Sequence, residues 1–474
     1  MIYINTLFLL FYLSIIIATM ITIIMDNRQP TKTMAWILVL VFLPIVGIVL
    51  YIFFGQNIRK ERFISQRSLD KLSKQTMFEY IEQQNLRLPL AHSALIQFFQ
   101  SQNMAFPFKD NEAEIYTSGQ DFILSLLKEI GSAQHHIHLV SYIFEDDALG
   151  YLVADALIDK ARQGVEVRLI YDDVGCWKVK NKFWQRIRNE GVEVYAFMPV
   201  HFPAFTSKIN YRNHRKLCVV DGKTAFIGGM NIALHYLKGT KKMQWRDTHL
   251  KVVGGAVYGI QRAFLIDWYF VSQTLLTSSV YYPPLSNNIS NECIAQVVTG
   301  SPVSVWPDIM QGFIRIILEA KHYVYIETPY FLPTEPFMAA ITNAALSGVD
   351  VRLLIPAQSD VLITSLAAHS YIPEALEAGV KVFLYQKGFN HSKLLVCDDS
   401  LCTCGSTNID FRSFENNFES NIIFYDSKMA KRMKEVFIED ENNSILVVDY
   451  IANKKRSFAV RFWESILRLL SPLL

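Results

Sequence analysis

The chain has 474 residues, which is enough for two or three ordinary domains, and its formal net charge is only +2 at pH 7. This near balance excludes a protein that binds a polyanion through bulk charge alone. Hydrophobic residues make up 51% of the chain, a high value for a soluble enzyme, and much of the excess lies at the N-terminus.

Two long uncharged segments, at positions 3–25 and 34–54, predict a hairpin of two transmembrane helices within residues 1–56. About 20 apolar residues span the roughly 30 Å hydrocarbon core of a bilayer, so each segment is long enough. A signal peptide and a buried core helix are the alternatives. The first segment, however, lacks a basic start and a small-residue cleavage site. Membrane helices also tolerate the Pro44 and Gly47 of the second segment.

Basic residues near these segments predict on which side of the membrane the rest of the chain lies. The connecting loop at 26–33 carries two basic residues and one acid, whereas positions 59–67 carry four basic residues and one acid. The larger basic excess follows the second segment, which predicts a cytoplasmic location for everything after it.

Next in the chain, a charged helical connector is predicted at 57–110, followed by alternating helical and strand patterns. Helical spacing covers 120–130 and 148–163, and Val/Ile-rich runs at 137–143 and 165–171 predict strands. Near-continuous apolar strands between helices indicate an α/β fold, a mixed sheet with helices on both faces.

The pattern of residues 111–285 recurs in residues 286–445. HHIHLVSYIF (135–144) resembles HYVYIETPYF (322–331), ARQGVEVRLIYD (161–172) resembles ALSGVDVRLLIP (345–356), and GGMNI (228–232) resembles GSTNI (405–409). A period of about 180 residues that occurs twice indicates a domain duplication rather than a solenoid. We therefore predict two tandem repeats whose matching strand ends meet at one shared cleft, joined by the Ser-, Pro- and Asn-rich stretch at 274–292.

The last segment, 446–474, is predicted to be a basic amphipathic tail. From position 454 it reads KKRSFAVRFWESILRLLSPLL, with its apolar residues largely on one helical face. An ordinary helix docked on the core is one interpretation, and a helix that lies in the lipid interface is the other, favoured by the Trp, Phe and basic residues.

Six scattered cysteines form no paired framework, and no second cysteine pair or histidine cluster completes a zinc set. We interpret them as buried, reduced thiols and predict no metal site.

Each repeat carries the same H-x-K-x4-D motif, formed by His214, Lys216, Asp221 and by His391, Lys393, Asp398. A histidine and a lysine two residues apart on an extended strand point to the same side. Two such units facing each other would place two imidazoles and two ammonium groups around one phosphodiester, whose developing charge must be neutralised.

A Gly-x-x-Asn sequence follows each motif and offers Asn231 and Asn408 as neutral donors to the same phosphate. No carboxylate cluster suitable for magnesium accompanies them, so no cofactor is predicted. Asp221 and Asp398 complete the motifs, and we expect them to fix the strand–turn geometry rather than to touch substrate.

This duplicated motif resembles the signature of the phospholipase D superfamily, and the resemblance covers roughly residues 110–440. Together with the segment TMAWILVLVFLPIVG (33–47) and the basic tail, the whole chain resembles the bacterial cardiolipin synthase family within it. The resemblance implies two phospholipase D-like repeats, no metal, a bacterial inner-membrane location as a multi-pass protein, and phosphatidylglycerol and cardiolipin as substrate and product.

The resemblance also implies residue roles. His214 would attack phosphorus to form a phosphatidyl-histidine, and His391 would protonate the departing alcohol and then deprotonate the incoming hydroxyl. The sequence does not decide which imidazole attacks. Family carboxylates that orient the histidines correspond to Asp247 and Glu419, an Asp in one repeat and a Glu in the other.

Alternatives remain open at this point. A hydrolytic phospholipase D or a synthase that uses another acceptor alcohol would share every one of these residues. A nucleic-acid phosphodiesterase would require a basic groove with interleaved aromatics, against which the near-neutral charge and the N-terminal segments argue, so no nucleic-acid partner is expected. Intact motifs in both repeats argue against a non-catalytic scaffold.

Overall fold

A computed structural model of the chain describes residues 2–25, 30–51, 55, 81–82, 86–200, 210–240, 243–284, 289–448, 458–469 and 471. The chain divides into two units, one formed by positions 1–62 and 200–211 and the other by positions 63–199 and 212–474.

The N-terminal part of the first unit contains three helices, α1 (Ile2–Met25), α2 (Pro30–Phe42) and α3 (Pro44–Leu50). Leu43 departs from helical geometry, with φ −135° and ψ 64°, because the ring of Pro44 disfavours the α conformation in the residue before it. The second predicted span is therefore split into two short helices. A small core forms here, in which Ile23, Leu40 and Tyr51 are buried together.

Among the residues that the structure describes, no helix combines the length and the apolar character needed to cross a membrane. The predicted transmembrane hairpin is thus not supported. For the segment at 34–54 the break at Leu43–Pro44 supplies a physical reason, and its residues 52–54 lie outside the described part of the chain.

Half of the predicted connector at 57–110, namely positions 57–80 and 83–85, also lies outside the described residues. Its described helix is α4 (Ser93–Asn103), and the short strand β1 (Pro107–Phe108) follows.

The first repeat is a seven-stranded mixed sheet with the order β2-β9-β7-β6-β3-β4-β5. The predicted helices and strands of this region are confirmed, with bounds shifted by at most two residues. The elements of the repeat are β2 (Asn111–Tyr116), α5 (Gly119–Ser132), β3 (His136–Ser141), α6 (Ala148–Arg162), β4 (Glu166–Asp172), α7 (Asn181–Asn189), β5 (Glu193–Phe197), β6 (Leu217–Val220), β7 (Thr224–Gly228), α8 (His235–Lys238), β8 (Trp245–Arg246), β9 (His249–Gly254) and α9 (Ala256–Ser272).

The second repeat has the same strand order, β10-β19-β17-β16-β11-β13-β14, extended at its edges by β1 and β20. The elements are β10 (Ile294–Gly300), α10 (Asp308–Glu319), β11 (Tyr323–Glu327), β12 (Phe331–Leu332), α11 (Glu335–Leu346), β13 (Asp350–Pro356), α12 (Leu362–His369), α13 (Ile372–Glu377), β14 (Lys381–Tyr385), β15 (Phe389–Asn390), β16 (Leu394–Cys397), β17 (Leu401–Gly405), β18 (Ile409–Asp410), α14 (Phe411–Glu415), β19 (Glu419–Tyr425), α15 (Ser427–Asn442), β20 (Ser444–Leu446) and α16 (Phe458–Leu469). The identical order confirms the tandem α/β repeats.

Both faces of the first sheet are covered, as near-continuous apolar strands require. Ile137 and Leu139 of β3 belong to the core shared with α5, α6 and α7. His138 points to the other face, where its ring stacks on Phe264 of α9 with 4.3 Å between centroids. A second core of the same kind lies within the second repeat.

Asp221 and Asp398 close the turns that follow β6 and β16. Both have left-handed backbone conformations, with φ of 53° and 50°. The carboxylate of Asp221 accepts hydrogen bonds from the backbone N–H groups of residues 134–136 at 2.8, 2.8 and 2.9 Å. Asp398 accepts from residues 321–323 at 2.7, 2.9 and 2.8 Å. Each aspartate therefore ties a motif strand to the start of its neighbour.

Replacing Asp221 with alanine should destabilise the fold. Burial raises the pKa of this carboxyl, but the three N–H donors outweigh that effect and bring the pKa below its usual value. Three donors would lose an ionised acceptor, so we expect Asp221→Ala to reduce the free energy of unfolding by about 2–4 kcal/mol. Urea unfolding of the detergent-solubilised protein measures this. Asp159→Ala, on an exposed part of α6, is the matched control, and equal stability of the two variants would contradict the prediction.

Candidate active site

The two repeats meet through a pair of short parallel backbone contacts. Residues just before the first motif pair with the segment that leads into β19: the N–H of His214 donates to the carbonyl of Phe418 at 2.9 Å, and the N–H of Phe418 donates to the carbonyl of Arg212 at 2.9 Å. In the same way β15 pairs with β8, and the N–H of His391 donates to the carbonyl of Arg246 at 2.6 Å. Each motif histidine is thereby held beside the residue that precedes the other repeat's carboxylate.

The histidine–carboxylate pairs consequently cross between repeats. His214 Nδ1 lies 3.0 and 3.1 Å from the two carboxylate oxygens of Glu419. His391 Nδ1 lies 2.6 Å from Oδ2 of Asp247. A carboxylate at Nδ1 keeps the proton on that nitrogen and leaves the lone pair on Nε2, the tautomer that a nucleophile or a general base needs.

Both imidazoles are buried, and burial is the main reason that their pKa values are low. The pKa of His214 falls to about 4, with Glu419 opposing the fall and Lys216 adding to it. The pKa of His391 falls to about 3, where Lys393 adds to the effect of burial and Asp247 opposes it. Burial raises the pKa values of Glu419 and Asp247, but the neighbouring cations and histidines outweigh it, so both lie below their usual values. At neutral pH the site holds neutral imidazoles and ionised carboxylates.

The two motif lysines are buried next to the histidines. Lys216 Nζ donates to the carbonyl of His214 at 2.7 Å and lies 5.2 Å from the ring centre of Tyr142. Lys393 Nζ contacts the carbonyl of His391 and lies 2.9 Å from its Nδ1. Burial lowers the pKa of Lys216 to about 7 and also lowers the pKa of Lys393. Each ammonium has therefore lost much of its hydration, which an anionic substrate would replace.

The two asparagines are in different situations. Asn231 has both ends of its amide occupied, because Oδ1 accepts from the N–H of Ile143 at 3.0 Å and Nδ2 donates to the hydroxyl of Tyr236 at 2.6 Å. Asn408 is buried, and its Oδ1 has no hydrogen-bond partner in the described part of the chain. Asn408 is thus the better placed of the two to respond to a bound ligand.

The sequence alone did not identify several residues that contact the site. The hydroxyl of Ser406 donates to Glu419, and Asn417 Nδ2 donates to the same carboxylate at 3.1 Å. Ser406 occupies the position of Gly229 in the other repeat, where a Cβ would come within 2.0 Å of Oδ1 of Asp247. The difference between GGMNI and GSTNI could have revealed Ser406 from the sequence. Asp247 leaves no room for a serine side chain in the first repeat, whereas the longer Glu419 leaves room for one in the second.

Aromatic rings also surround the two histidines, unequally. The ring of Tyr142 meets His214 edge-on at 4.8 Å. His391 has four aromatic neighbours, Trp245 at 5.4 Å, Phe389 at 5.5 Å, Tyr236 at 6.1 Å and Tyr330 at 6.3 Å between ring centres. The environment of His391 is therefore the more apolar of the two.

Two buried ion pairs support the crossing segments. Arg215 pairs with Asp267 and donates from Nε to the carbonyl of Glu419 at 3.0 Å. Arg246 pairs with Asp440, with Nε 3.1 Å from Oδ1. Because an unpaired buried charge is costly, these pairs hold the backbone around each orienting carboxylate in one arrangement.

Within the described residues no group of three or more His, Cys, Asp or Glu side chains is arranged to hold a metal ion. All six cysteines are buried and free of disulfides, in agreement with their interpretation as buried thiols.

A duplicated α/β sheet that brings two H-x-K motifs together defines a phospholipase D-like protein. In agreement, the family model for the cardiolipin synthase, PLD-like domain matches residues 126–248 and 313–441, and the model for the phospholipase D-nuclease N-terminal family matches residues 14–56.

The chain is 39% identical over 461 residues to a cardiolipin synthase from Geobacillus kaustophilus, covering 96% of this chain and 91% of the relative. It is 38% identical to a cardiolipin synthase from Oceanobacillus iheyensis, covering 98% of both chains. The chain therefore belongs to the cardiolipin synthase family and is a phosphatidyltransferase of the phospholipase D superfamily. The crystal structure of phosphatidylserine synthase from Haemophilus influenzae shares the fold, with a TM-score of 0.62, 15% identity, and coverage of 81% of this chain and 100% of that chain.

The lowered pKa of Lys216 predicts a decline of activity in alkali. With a pKa of about 7, the ammonium loses its proton as the pH rises through that value, and the charge that would neutralise the phosphate disappears. Above the pKa of about 7 we expect kcat/KM to fall about tenfold per pH unit, because kcat/KM reports the ionisation of the free enzyme. Arginine stays protonated over this pH range. The remaining activity of Lys216→Arg should therefore begin to decline at a higher pH than the activity of the wild type.

The measurement is a pH profile of cardiolipin formation between pH 6 and 9. Lys223→Arg, at an exposed position just beyond the first motif, is the control and should keep the wild-type profile. An unchanged alkaline limb in Lys216→Arg would contradict the assignment.

Proposed function

We propose that the enzyme transfers a phosphatidyl group from one phosphatidylglycerol to a head-group hydroxyl of a second, through a phosphatidyl-histidine, and releases glycerol. The observation that carries this proposal is the pair of buried neutral histidines, each oriented by an ionised carboxylate of the opposite repeat. Two equivalent bases at one site fit a reaction with two successive displacements at the same phosphorus.

In the first displacement, Nε2 of His214 attacks phosphorus while the bond from phosphorus to the glycerol oxygen breaks. His391 gives a proton to that oxygen, and glycerol leaves. Glu419 stabilises the positive charge that develops on the ring of His214, as an orienting carboxylate does in other nucleophile–base pairs. Lys216 and Lys393 would neutralise charge on the phosphate oxygens, and the amide N–H of Asn408 would donate a hydrogen bond to one of them.

The first displacement requires His391 to be protonated, although its pKa in the free site is only about 3. The charge of the substrate resolves this requirement. Burial and the two motif lysines lower the pKa of His391. A bound anionic phosphodiester offsets the charge of these lysines, so substrate binding raises the pKa of His391.

In the second displacement, His391 accepts the proton of the incoming hydroxyl as that oxygen attacks phosphorus. The bond from phosphorus to His214 breaks, and cardiolipin forms. The burial of all four motif side chains favours a lipid hydroxyl over water, because water is largely excluded from the reacting centre.

We further propose that the enzyme is attached to the inner membrane of a bacterial cell, with the catalytic repeats on the cytoplasmic side. Lipid substrates, the N-terminal family match at 14–56 and the basic residues at 59–67 support this location. Nothing in the proposal involves a nucleic acid.

Labelled phosphatidylglycerol, incubated with the purified enzyme, tests the overall reaction. Cardiolipin and glycerol in equal amounts are expected, whereas phosphatidic acid would indicate hydrolysis, and no turnover would point to a different lipid. Added serine should not be incorporated, and its incorporation would indicate a different acceptor. His214→Ala and His391→Ala should each abolish cardiolipin formation, and the exposed His135→Ala should not.

A phosphatidyl ester of 4-nitrophenol separates the two histidines, because this leaving group departs without a proton. We expect His391→Ala and Asp247→Asn to release a burst of nitrophenolate at close to the wild-type rate. His214→Ala should give no burst, and Glu419→Gln should slow it by about 10²–10⁴-fold, the range typical of a positioned base or its orienting group.

The same experiment tests the crossed pairing. If Asp247→Asn lost the burst together with His214→Ala, the functional pairs would lie within repeats. If His391→Ala lost the burst and His214→Ala kept it, His391 would be the nucleophile.

A further inference from the structure

An exposed apolar surface lies on α12 and α16 of the second repeat. We call it the α12–α16 surface, and it consists of Leu362, Ile363, Phe458, Phe462, Trp463 and Leu469. Leu362 is 73% exposed, Phe458 76%, Trp463 59% and Leu469 79%. Isolated exposed apolar residues need no explanation, but six large ones on two helices that pack against each other indicate a binding surface.

The opposite face of α16 is docked, so the orientation of the surface is fixed. Glu464 is buried and lies 3.9 Å from Nδ1 of His369 on α12. Arg468 pairs with Glu374 at 3.0 Å and lies 4.3 Å from the ring centre of Tyr371. Leu467 packs against the core of the second repeat. The helix is therefore both docked on the core and left with an apolar outer face, which combines the two interpretations of its sequence.

The outer face of α16 has an aromatic cluster. The rings of Phe458 and Phe462 stack with 6.3 Å between centres, and Trp463 meets Phe462 at 6.2 Å. The indole of Trp463 favours the boundary between lipid head groups and acyl chains, where its apolar body and its polar N–H are both accommodated, and the two Phe rings supply apolar area.

The charges of the helix have the sign that an anionic lipid surface attracts. Within α16, Arg468 is paired with Glu374, Arg461 is exposed, and the one acidic residue of the helix, Glu464, is turned inward. The sequence just before the helix adds Lys454, Lys455 and Arg456. Each basic residue near an anionic bilayer contributes about 1 kcal/mol of attraction.

The α12–α16 surface lies close in the fold to His391. Asp360, two residues before Leu362, accepts a hydrogen bond from the hydroxyl of Tyr330 at 2.8 Å. The ring of Tyr330 is in turn 6.3 Å from that of His391. A ligand of this surface would be held next to the motif of the second repeat.

We propose that the α12–α16 surface inserts into the head-group layer of an anionic bilayer and holds the entrance of the active site against the lipid that it uses. The proposal rests on the proposed function for the identity of the lipid. Phosphatidylglycerol then reaches the catalytic residues by lateral movement in the bilayer, without being extracted through water.

Site-specific labelling of the full-length enzyme tests the surface without reference to catalysis. All six native cysteines are buried, so a single introduced cysteine takes an environment-sensitive fluorophore selectively. Phe462→Cys and Leu362→Cys report on the surface, and Leu124→Cys, at a 59% exposed residue of α5 in the first repeat, is the matched control.

The labelled variants are reconstituted in vesicles of phosphatidylglycerol and phosphatidylethanolamine that carry a quencher in the acyl region. Quenching at 462 and 362 but not at 124 is expected. Quenching of the 462 and 362 probes by aqueous iodide to the same extent as the 124 probe would overturn the proposal. Shielding that depends on protein concentration and not on lipid would also overturn it, in favour of contact with a second copy.

Kinetics of a charged variant give the functional readout. Phe462→Asp combined with Leu362→Asp should reduce the rate on phosphatidylglycerol vesicles by about tenfold, because two lipid-facing positions become charged. The rate on monomeric short-chain phosphatidylglycerol should stay within about twofold, and Leu124→Asp should change neither rate. Equal losses on both substrates would show that the surface supports the fold instead. If no variant or wild-type enzyme made cardiolipin while the labelling result held, the proposed reaction would fail and the lipid-binding surface would stand.

Discussion

The site depends on the exchange of carboxylates between the repeats: Glu419 of the second repeat faces His214 of the first, and Asp247 of the first faces His391 of the second. Neither repeat contains a histidine with its own orienting group, so a single copy of the fold would leave its imidazole and its carboxylate without these partners. Because an ionised carboxylate that loses a buried hydrogen-bond donor is costly, this exchange links the stability of the repeat interface to the integrity of the site.

The duplicated sheet explains the exchange of carboxylates, but the surroundings of the two histidines are not symmetric. Parallel contacts at Phe418 and Arg246 place both histidines in matching positions, yet their surroundings differ. Ser406 supports Glu419 where Gly229 makes room for Asp247, and the aromatic rings gather around His391. Two displacements at one phosphorus need one group that bonds to phosphorus and another that only carries a proton. In the proposed mechanism, the unequal surroundings within a symmetric fold provide these two groups.

The tandem repeat and the meeting of the motif residues were predictable, since repeated strings and the spacing of His214 and Lys216 on a strand are local properties. The crossing of the carboxylates was not, because spacing along one chain does not say which repeat a downstream Asp or Glu will face. Asn231 and Asn408 occupy the same position of the repeated sequence. Only the tertiary contacts with Ile143 and Tyr236 reveal that the amide of Asn231 is occupied. At the N-terminus hydropathy indicated two spans, whereas the described helices do not support them and the second segment breaks before Pro44.

In the free site, the charges of the buried side chains nearly cancel. At neutral pH the two carboxylates offset the two lysines while the histidines are neutral, so the buried cluster carries no net charge beyond the partial deprotonation of Lys216. A bound phosphodiester adds one negative charge to this low-dielectric region and favours proton uptake, first by the deprotonated fraction of Lys216 and then, in the proposed mechanism, by His391. In that mechanism Asp247 stabilises the proton on His391, and the substrate itself brings about the protonation state that its leaving group requires. A neutral lipid head group would not do so, which makes the charge of the phosphodiester a condition for catalysis as well as for binding.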